Sequence, residues 1–333
     1  MLFAKIKGQD SAISVLKGHI RDNRIASAYL FSGPDSTGKK MAAEAMAAAV
    51  NCQGASGDAC GNCPICLKIT KHEHPDVYII DVSLELDADP NRKELYYGSS
   101  DALKIGHIRL IQKRAALKPF EARRKFFIID NAHNLTPEAS NALLKVLEEP
   151  PSDSHIILIS SKPHLLFKTI TSRCRIIKFS PLPRQALEVM LKKEHALDPD
   201  SAHFLAYYSE GRIGEALRLK DSGLFREKNK IIDSFALQKG AGSFFPADRR
   251  QMRNCLNILS GWLRDSCVLK GSFTSDELIN RDRKQDLLRY AGSLDLAELE
   301  DAFQAVADSF LYLEANANLK LLTSNLKAQL WRR

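Results

Sequence analysis

The chain has 333 residues, 44% hydrophobic and 26% charged, with a net charge of +8 at neutral pH. That length allows two or three domains with cores of their own, and the composition is ordinary for a soluble globular protein. No run nears the ~20 apolar residues of a membrane helix, and the opening MLFAKIKGQD lacks the apolar core of a signal peptide. Seven cysteines, four of them bunched, do not make a secreted disulfide framework, so the expectation is a cytoplasmic protein with reduced thiols. The positive balance suits a polyanionic neighbourhood, nucleic acid or an assembly on it, or it serves solubility alone.

In chain order, Ser11–Asn23 carries Ile13, Val15, Leu16 and Ile20 at helical spacing. Ala28–Ser32 is a short apolar run ending at Gly33 and reads as a buried strand. Met41–Val50 is alanine-rich and favours helix. A cysteine-bearing insertion follows, then a strand at Val77–Ile80 and a polar excursion over Ser83–Ser100 holding Pro90 and Gly98. Ile105–Leu117 has helical spacing, with Arg109, Lys113 and Arg114 on its polar side. Phe126–Asp130 is an apolar strand ending in an acid. Thr136 and Pro137 suit the N-cap and first turn of a helix that Pro150 and Pro151 stop. Ile156–Ile159 and Arg175–Phe179 complete the strands. Continuous apolar runs alternating with helices predict a parallel sheet covered on both faces.

Beyond Pro181 the pattern is wholly helical: Arg184–Glu194, Ser201–Tyr208 and Ile213–Lys220, a linker at Gln238–Pro246, then Gln251–Lys270, Arg283–Tyr290 and Leu296–Trp331. The expected domains are an α/β unit over 1–180 with a cysteine module at 50–68, a small helical domain over 181–240 and a second helical domain over 247–333.

The stretch GPDSTGKK, Gly33 to Lys40, has the frame of a phosphate-binding loop, G-x-x-x-x-G-K-[ST], between a predicted strand and a predicted helix. Gly33, Gly38 and Lys39 are the expected phosphate-binding residues. Lys40 stands where a hydroxyl would hold Mg²⁺; it cannot ligate a cation and its charge repels one. Ser36 replaces a glycine common in such loops, which makes the tight curl harder to form. The acidic strand end, usually Asp-Glu, is Asp130-Asn131. Asp130 can sit by a metal, but the Asn131 amide cannot serve as a general base. Two departures in two separate elements predict a nucleotide fold that no longer hydrolyses ATP and binds it poorly or not at all.

Cys52, Cys60, Cys63 and Cys66 follow C-x7-C-x2-C-x2-C among turn-forming residues. Such spacing lets four thiolates close a tetrahedral shell around one ion, so a structural zinc knuckle without catalysis is expected. Loose thiols or an iron–sulfur cluster are the alternatives. His72 and His74 read as ordinary loop residues, and Cys255 and Cys267 as core.

These residues carry a resemblance to the delta prime family of bacterial DNA polymerase III clamp-loader subunits, within the AAA+ superfamily. Ile6–Gln9 with Ala28–Pro34, the four-cysteine insertion, His74-Pro75-Asp76, Asn141–Pro151, Thr171-Ser172-Arg173-Cys174 and Asn316–Leu321 are similar to family elements. Asn141–Pro151 is the most specific of them, and the C-terminal helices are otherwise weakly similar. The resemblance implies an AAA+ domain, a helical lid over 181–240 and a C-terminal oligomerisation collar. It implies that Arg173 is an arginine finger reaching a neighbour's ATP site, and that Gly33, Gly38, Lys39 and Asp130 are a degenerate nucleotide site. Its partners would be the motor (gamma/tau) and delta subunits and, through the complex, a sliding clamp and primed DNA. Motor subunits carry an arginine in the lid helix that touches nucleotide; Gly214 stands there, with Arg212 two residues away.

The leading expectation is a non-hydrolysing clamp-loader subunit. Arg109, Lys113, Arg114, Arg123 and Arg124 are then either a phosphate-facing surface or a solvated face. An active motor ATPase is the alternative and needs Lys39 and Asp130 to suffice. A zinc-knuckle nucleic-acid binder ranks last, since residues 50–68 hold a single basic residue, Lys68.

Overall fold

Five apolar runs meet in one parallel sheet in a computed structural model that describes residues 2–54, 57–83, 102–236, 245–271 and 278–330. The strands are β1 (Ala28–Ser32), β2 (Val77–Ile80), β3 (Lys125–Ile129), β4 (Ser154–Ser160) and β5 (Arg175–Lys178), in the order β2-β3-β4-β1-β5. β1 lies between β4 and β5, with Leu30 opposite Leu158 and Ile176. Every residue of β1, β3 and β4 is buried. That is why these strands read as unbroken apolar runs with no alternation.

Alternate strand residues serve two cores. Tyr29, Phe31, Phe126, Ile128, Ile157 and Ile159 face α1 (Asp10–Arg21), α2 (Lys39–Asn51) and α3 (Pro64–Thr70). Ala28, Leu30, Phe127, Ile129, Ile156 and Leu158 face α4 (Ile105–Ala115) and α5 (Pro137–Glu148). The alanines of α2 let it lie close to the sheet; Ala42, Ala43, Ala47 and Ala48 are fully buried. The Thr136 hydroxyl accepts the Ala139 N–H at 3.2 Å and caps α5, with Pro137 in its first turn, as the sequence predicts. A short helix, α6 (Lys168–Thr171), precedes β5.

By contact the chain divides into two compact units, one of residues 1–182 with 212–215, the other of 183–211 with 216–333. The second unit is helical: α7 (Arg184–His195), α8 (Pro199–Tyr208), most of α9 (Ile213–Asp221), α10 (Leu224–Ala236), α11 (Arg249–Lys270), α12 (Lys284–Gly292), α13 (Leu296–Glu314) and α14 (Leu319–Leu330). α11 is its axis, packed against α10, α12 and α13 around the buried Trp262. The fully buried Lys228 of α10 is held by Asp282 at 2.6 Å, between the Phe204 and Phe225 rings. The predicted run Leu296–Trp331 is two helices, broken where Asn316 adopts φ 59°. Among the described residues no helix is long and apolar enough to cross a membrane. Most of the polar excursion and of the linker, with Trp331, lies outside the described residues.

Candidate functional site

β1 delivers the chain to its C-terminal edge, and the loop Gly33–Gly38 turns it into α2. Gly33 has φ 146°, and a Cβ there would fall 2.0 Å from the Phe179 carbonyl oxygen, so only glycine fits. The curl does form without the extra glycine. Ser36 takes the left-handed conformation (φ 62°), at a cost of about 1–2 kcal/mol. Its carbonyl accepts the Gly214 N–H at 3.0 Å. The Thr37 hydroxyl donates to the Pro34 carbonyl at 2.8 Å.

Both lysines of the loop are engaged by the chain itself. The Lys39 ammonium donates to the carbonyls of Gly33 (2.7 Å) and Pro34 (2.5 Å) and lies 3.9 Å from Asp35. Burial pushes its pKa down, against the pull of Asp35 and Asp130. Lys40 places its Nζ 3.6 Å from Asp130 Oδ2 and 4.0 Å from Asp81 Oδ2. These two acids directly follow adjacent parallel strands, β3 and β2. Asn131 has φ 51° and donates its backbone N–H to Asp130 Oδ1 at 3.0 Å. Ser160, the last residue of β4, accepts the Lys162 N–H at 3.1 Å and lies 3.3 Å from His133 Nδ1. Burial holds His133 below its ordinary pKa.

The structure thus brings Gly33, Gly38, Lys39 and Asp130 to one end of the sheet. Sequence reasoning missed Asp81, His133 and Ser160 there. The signal for Asp81 was available: an acid immediately after a predicted buried strand, as at Asp130, at the end where open α/β sheets bind ligands.

Arg173 follows α6 on the surface. Its guanidinium donates to the Thr169 carbonyl (3.0 Å) and pairs with Glu148 (2.9 Å), with the side chain 38% exposed. Glu148 ends α5, so the Asn141–Pro151 hallmark supplies both a core face, through Leu143, Val146 and Leu147, and the partner of Arg173. Burial holds the neighbouring Cys174 thiol up near pKa 12, which favours its protonated form.

The sulfurs of Cys52, Cys60, Cys63 and Cys66 all lie within 4.8 Å of one another, with Cys52–Cys63 and Cys60–Cys66 at 4.0 Å. A tetrahedral ion with ~2.3 Å bonds to sulfur needs sulfurs about 3.8 Å apart, so the cluster can hold one metal ion. The backbone N–H groups of Asn62 and Cys63 point at the Cys60 sulfur and pull its pKa to about 6. The local fold makes the cluster: Cys52 ends α2, Cys63 caps α3 and Cys66 lies in its first turn. The two histidines lie elsewhere. His72 pairs with Glu44 at 3.3 Å. His74 is buried and accepts the Asp76 N–H at 3.1 Å.

The buried Asp76 carboxylate accepts the N–H groups of Phe120, Glu121 and Ala122 at 2.8–3.0 Å, so His74-Pro75-Asp76 is a clasp for that turn. Of the basic residues, Arg109, Lys113, Arg114 and Arg123 are exposed. Arg124 is a structural tie, bonded to His155 Nε2 (3.1 Å) and Asn23 (3.4 Å).

A glycine loop after β1, an acid after β3 and β1 set between β4 and β5 in a parallel five-stranded sheet define a P-loop-type α/β domain, here joined to helices. The family model described as DNA polymerase III, delta subunit matches residues 8–183. DNA polymerase III subunit delta' of Bacillus subtilis is 28% identical over 330 residues, 96% of this chain and 94% of that protein. Subunit tau of the same organism is 33% identical over 228 residues, 67% of this chain and 38% of that protein. Among solved structures, a gamma subunit-related protein of Thermotoga maritima aligns over 97% of this chain and 99% of its own, with TM-score 0.45 and 18% identity. The chain belongs to the DNA polymerase III delta-subunit family.

Proposed function

We propose that the chain is a delta prime-like subunit of a DNA polymerase III clamp loader that hydrolyses no ATP itself and lends Arg173 to a neighbouring motor subunit of the gamma/tau type. With delta and the motor subunits it would help place a sliding clamp on primed DNA. The observation that carries this reading is the state of the two loop lysines. Lys40 stands in the place of the metal-ligating hydroxyl, offers no lone pair and pairs with the strand-end acids, and Lys39 is tied to the carbonyls of its own loop, an arrangement that supports a site without turnover. Asn131 removes the base.

On the donating side, Arg173 is exposed and its bond to Glu148 is a surface ion pair, worth at most about 1 kcal/mol. Such a pair opens readily. A guanidinium set against a γ-phosphate offsets transition-state charge and is worth about 10³–10⁵ in rate at the site it serves. Zinc is the ion proposed for Cys52, Cys60, Cys63 and Cys66. With four thiolates it has a closed shell, and it would supply rigidity to the segment between α2 and α3, not chemistry.

The test is reconstitution with motor and delta subunits. Arg173→Ala is expected to depress clamp- and DNA-stimulated ATP hydrolysis at least several-fold, and an unchanged rate overturns the proposal. The similarity to tau favours a second reading, an active motor. Metal-dependent ATP turnover by the isolated chain, lost in Lys39→Ala, would establish that reading instead.

A further inference from the structure

In P-loop proteins a hydroxyl after the loop lysine and an acid at a strand end share a divalent cation. The residues present do not fit that ion. Lys40 occupies the hydroxyl's place in the motif, and its ammonium lies between Asp130 Oδ2 (3.6 Å) and Asp81 Oδ2 (4.0 Å). An ammonium offers three donors and no lone pair, so it cannot join a metal's ligand shell. A divalent ion on Asp130, with bonds of about 2.1 Å, would face that charge at close range.

The acids themselves need a cation. Asp81 and Asp130 are 30% and 21% exposed and follow neighbouring strands. Glu44, one turn beyond Lys40 on α2, brings a third carboxylate, paired with His72 at 3.3 Å. Two partly desolvated carboxylates on adjacent strand ends repel unless a positive charge sits between them.

We infer that Lys40 is a built-in substitute for the divalent cation, and that it is the residue that makes this end of the sheet metal-independent. The inference rests on the reading of the loop as degenerate, and it assigns that degeneracy to one side chain. Lys40 would then neutralise Asp81 and Asp130 without any bound ion. Replacing it by threonine restores the hydroxyl and leaves the acids unneutralised, which creates a site for a hard, oxygen-seeking divalent ion.

The experiment uses the full chain without nucleotide. Mn²⁺ binding is followed by electron paramagnetic resonance and thermal unfolding is recorded with and without Mn²⁺. Wild type and Lys40→Arg are expected to melt alike and to show no Mn²⁺ bound at these acids. Lys40→Thr is expected to melt lower in buffer without added divalent ion, to recover on adding Mn²⁺, and to bind Mn²⁺ about tenfold tighter or more, the scale one adjacent like charge permits. Adding Asp130→Asn to Lys40→Thr should abolish the gain. Equal Mn²⁺ responses in wild type and Lys40→Thr overturn the inference. So does Mn²⁺ binding to wild type that Asp130→Asn removes, a measurement that stands even where Lys40→Thr fails to fold. Because no ATP is present, these outcomes are independent of the Arg173 test on the assembled complex.

Discussion

Asp76 sits at the end of His74-Pro75-Asp76 with its carboxylate beneath the turn that displays Phe120, a ring 85% exposed. Burial alone would raise its pKa, but the N–H groups of Phe120, Glu121 and Ala122 outweigh burial and hold it below the ordinary value. Asp76→Ala is therefore expected to lower stability by about 3 kcal/mol, the scale of losing charge-assisted bonds and stranding buried donors. Urea unfolding measures it, and a cost under half of that would show the clasp to be dispensable. The tripeptide was legible as a family element, yet its task was not, because its partners lie 44 to 46 positions away. Lys40 is a similar case. Its departure from the motif is plain in the sequence, whereas its pairing with Asp81 appears only when β2 and β3 align.

At the scale of elements, the buried strands were the most legible. Ala28–Ser32 was read from the sequence at the bounds it has, because a strand covered on both faces must be apolar throughout. The shortest helices and one longer one were not. α3 has seven residues and hides among cysteines and turn formers. α10 was lost against the linker that follows it, although Leu224, Ile231, Ile232 and Phe235 are buried along one face. The cysteine module follows from spacing alone, since all four sulfurs converge as the pattern demands. One zinc per chain is expected, and its release by a mercurial should track the titration of the four clustered thiols. Chelation should lower the melting temperature and raise hydrogen exchange through Cys52–Thr70, as metal binding contributes directly to local folding. Exchange there that ignores the metal would refute the structural role.

Across the whole molecule, the two units are set for different responses to acid. His19, His74, His107, His133 and His155 all lie in the first unit, and burial, in each the leading cause, holds them below the ordinary 6.5. The fold favours their neutral form, so their contribution is complete above about pH 6.5 and is lost as pH falls through their folded values. In the second unit, burial would raise Glu188, but the hydrogen bonds of Lys192 and His203 and the charge of Arg281 bring it down to about 2 from 4.5. Its contribution is complete above about pH 4.5 and disappears only on the way to about pH 2. Amide protection, corrected for the pH dependence of intrinsic exchange, should therefore fall first in β1 and β3 as pH drops below 6.5 while α7, which carries Glu188, stays protected until pH falls below about 4.5. Simultaneous loss would contradict this ordering. The contact of Gly214 with the loop has a consequence for the protein's history. An arginine at 214 would bring its Cβ to 3.1 Å from the Ser36 carbonyl oxygen, a glutamate at 131 would inherit φ 51°, and a threonine at 40 would leave two acids confronting each other. On the proposed reading, each single step toward a motor sequence is penalised before any nucleotide can reward it, and the geometry itself would keep the chain from turnover.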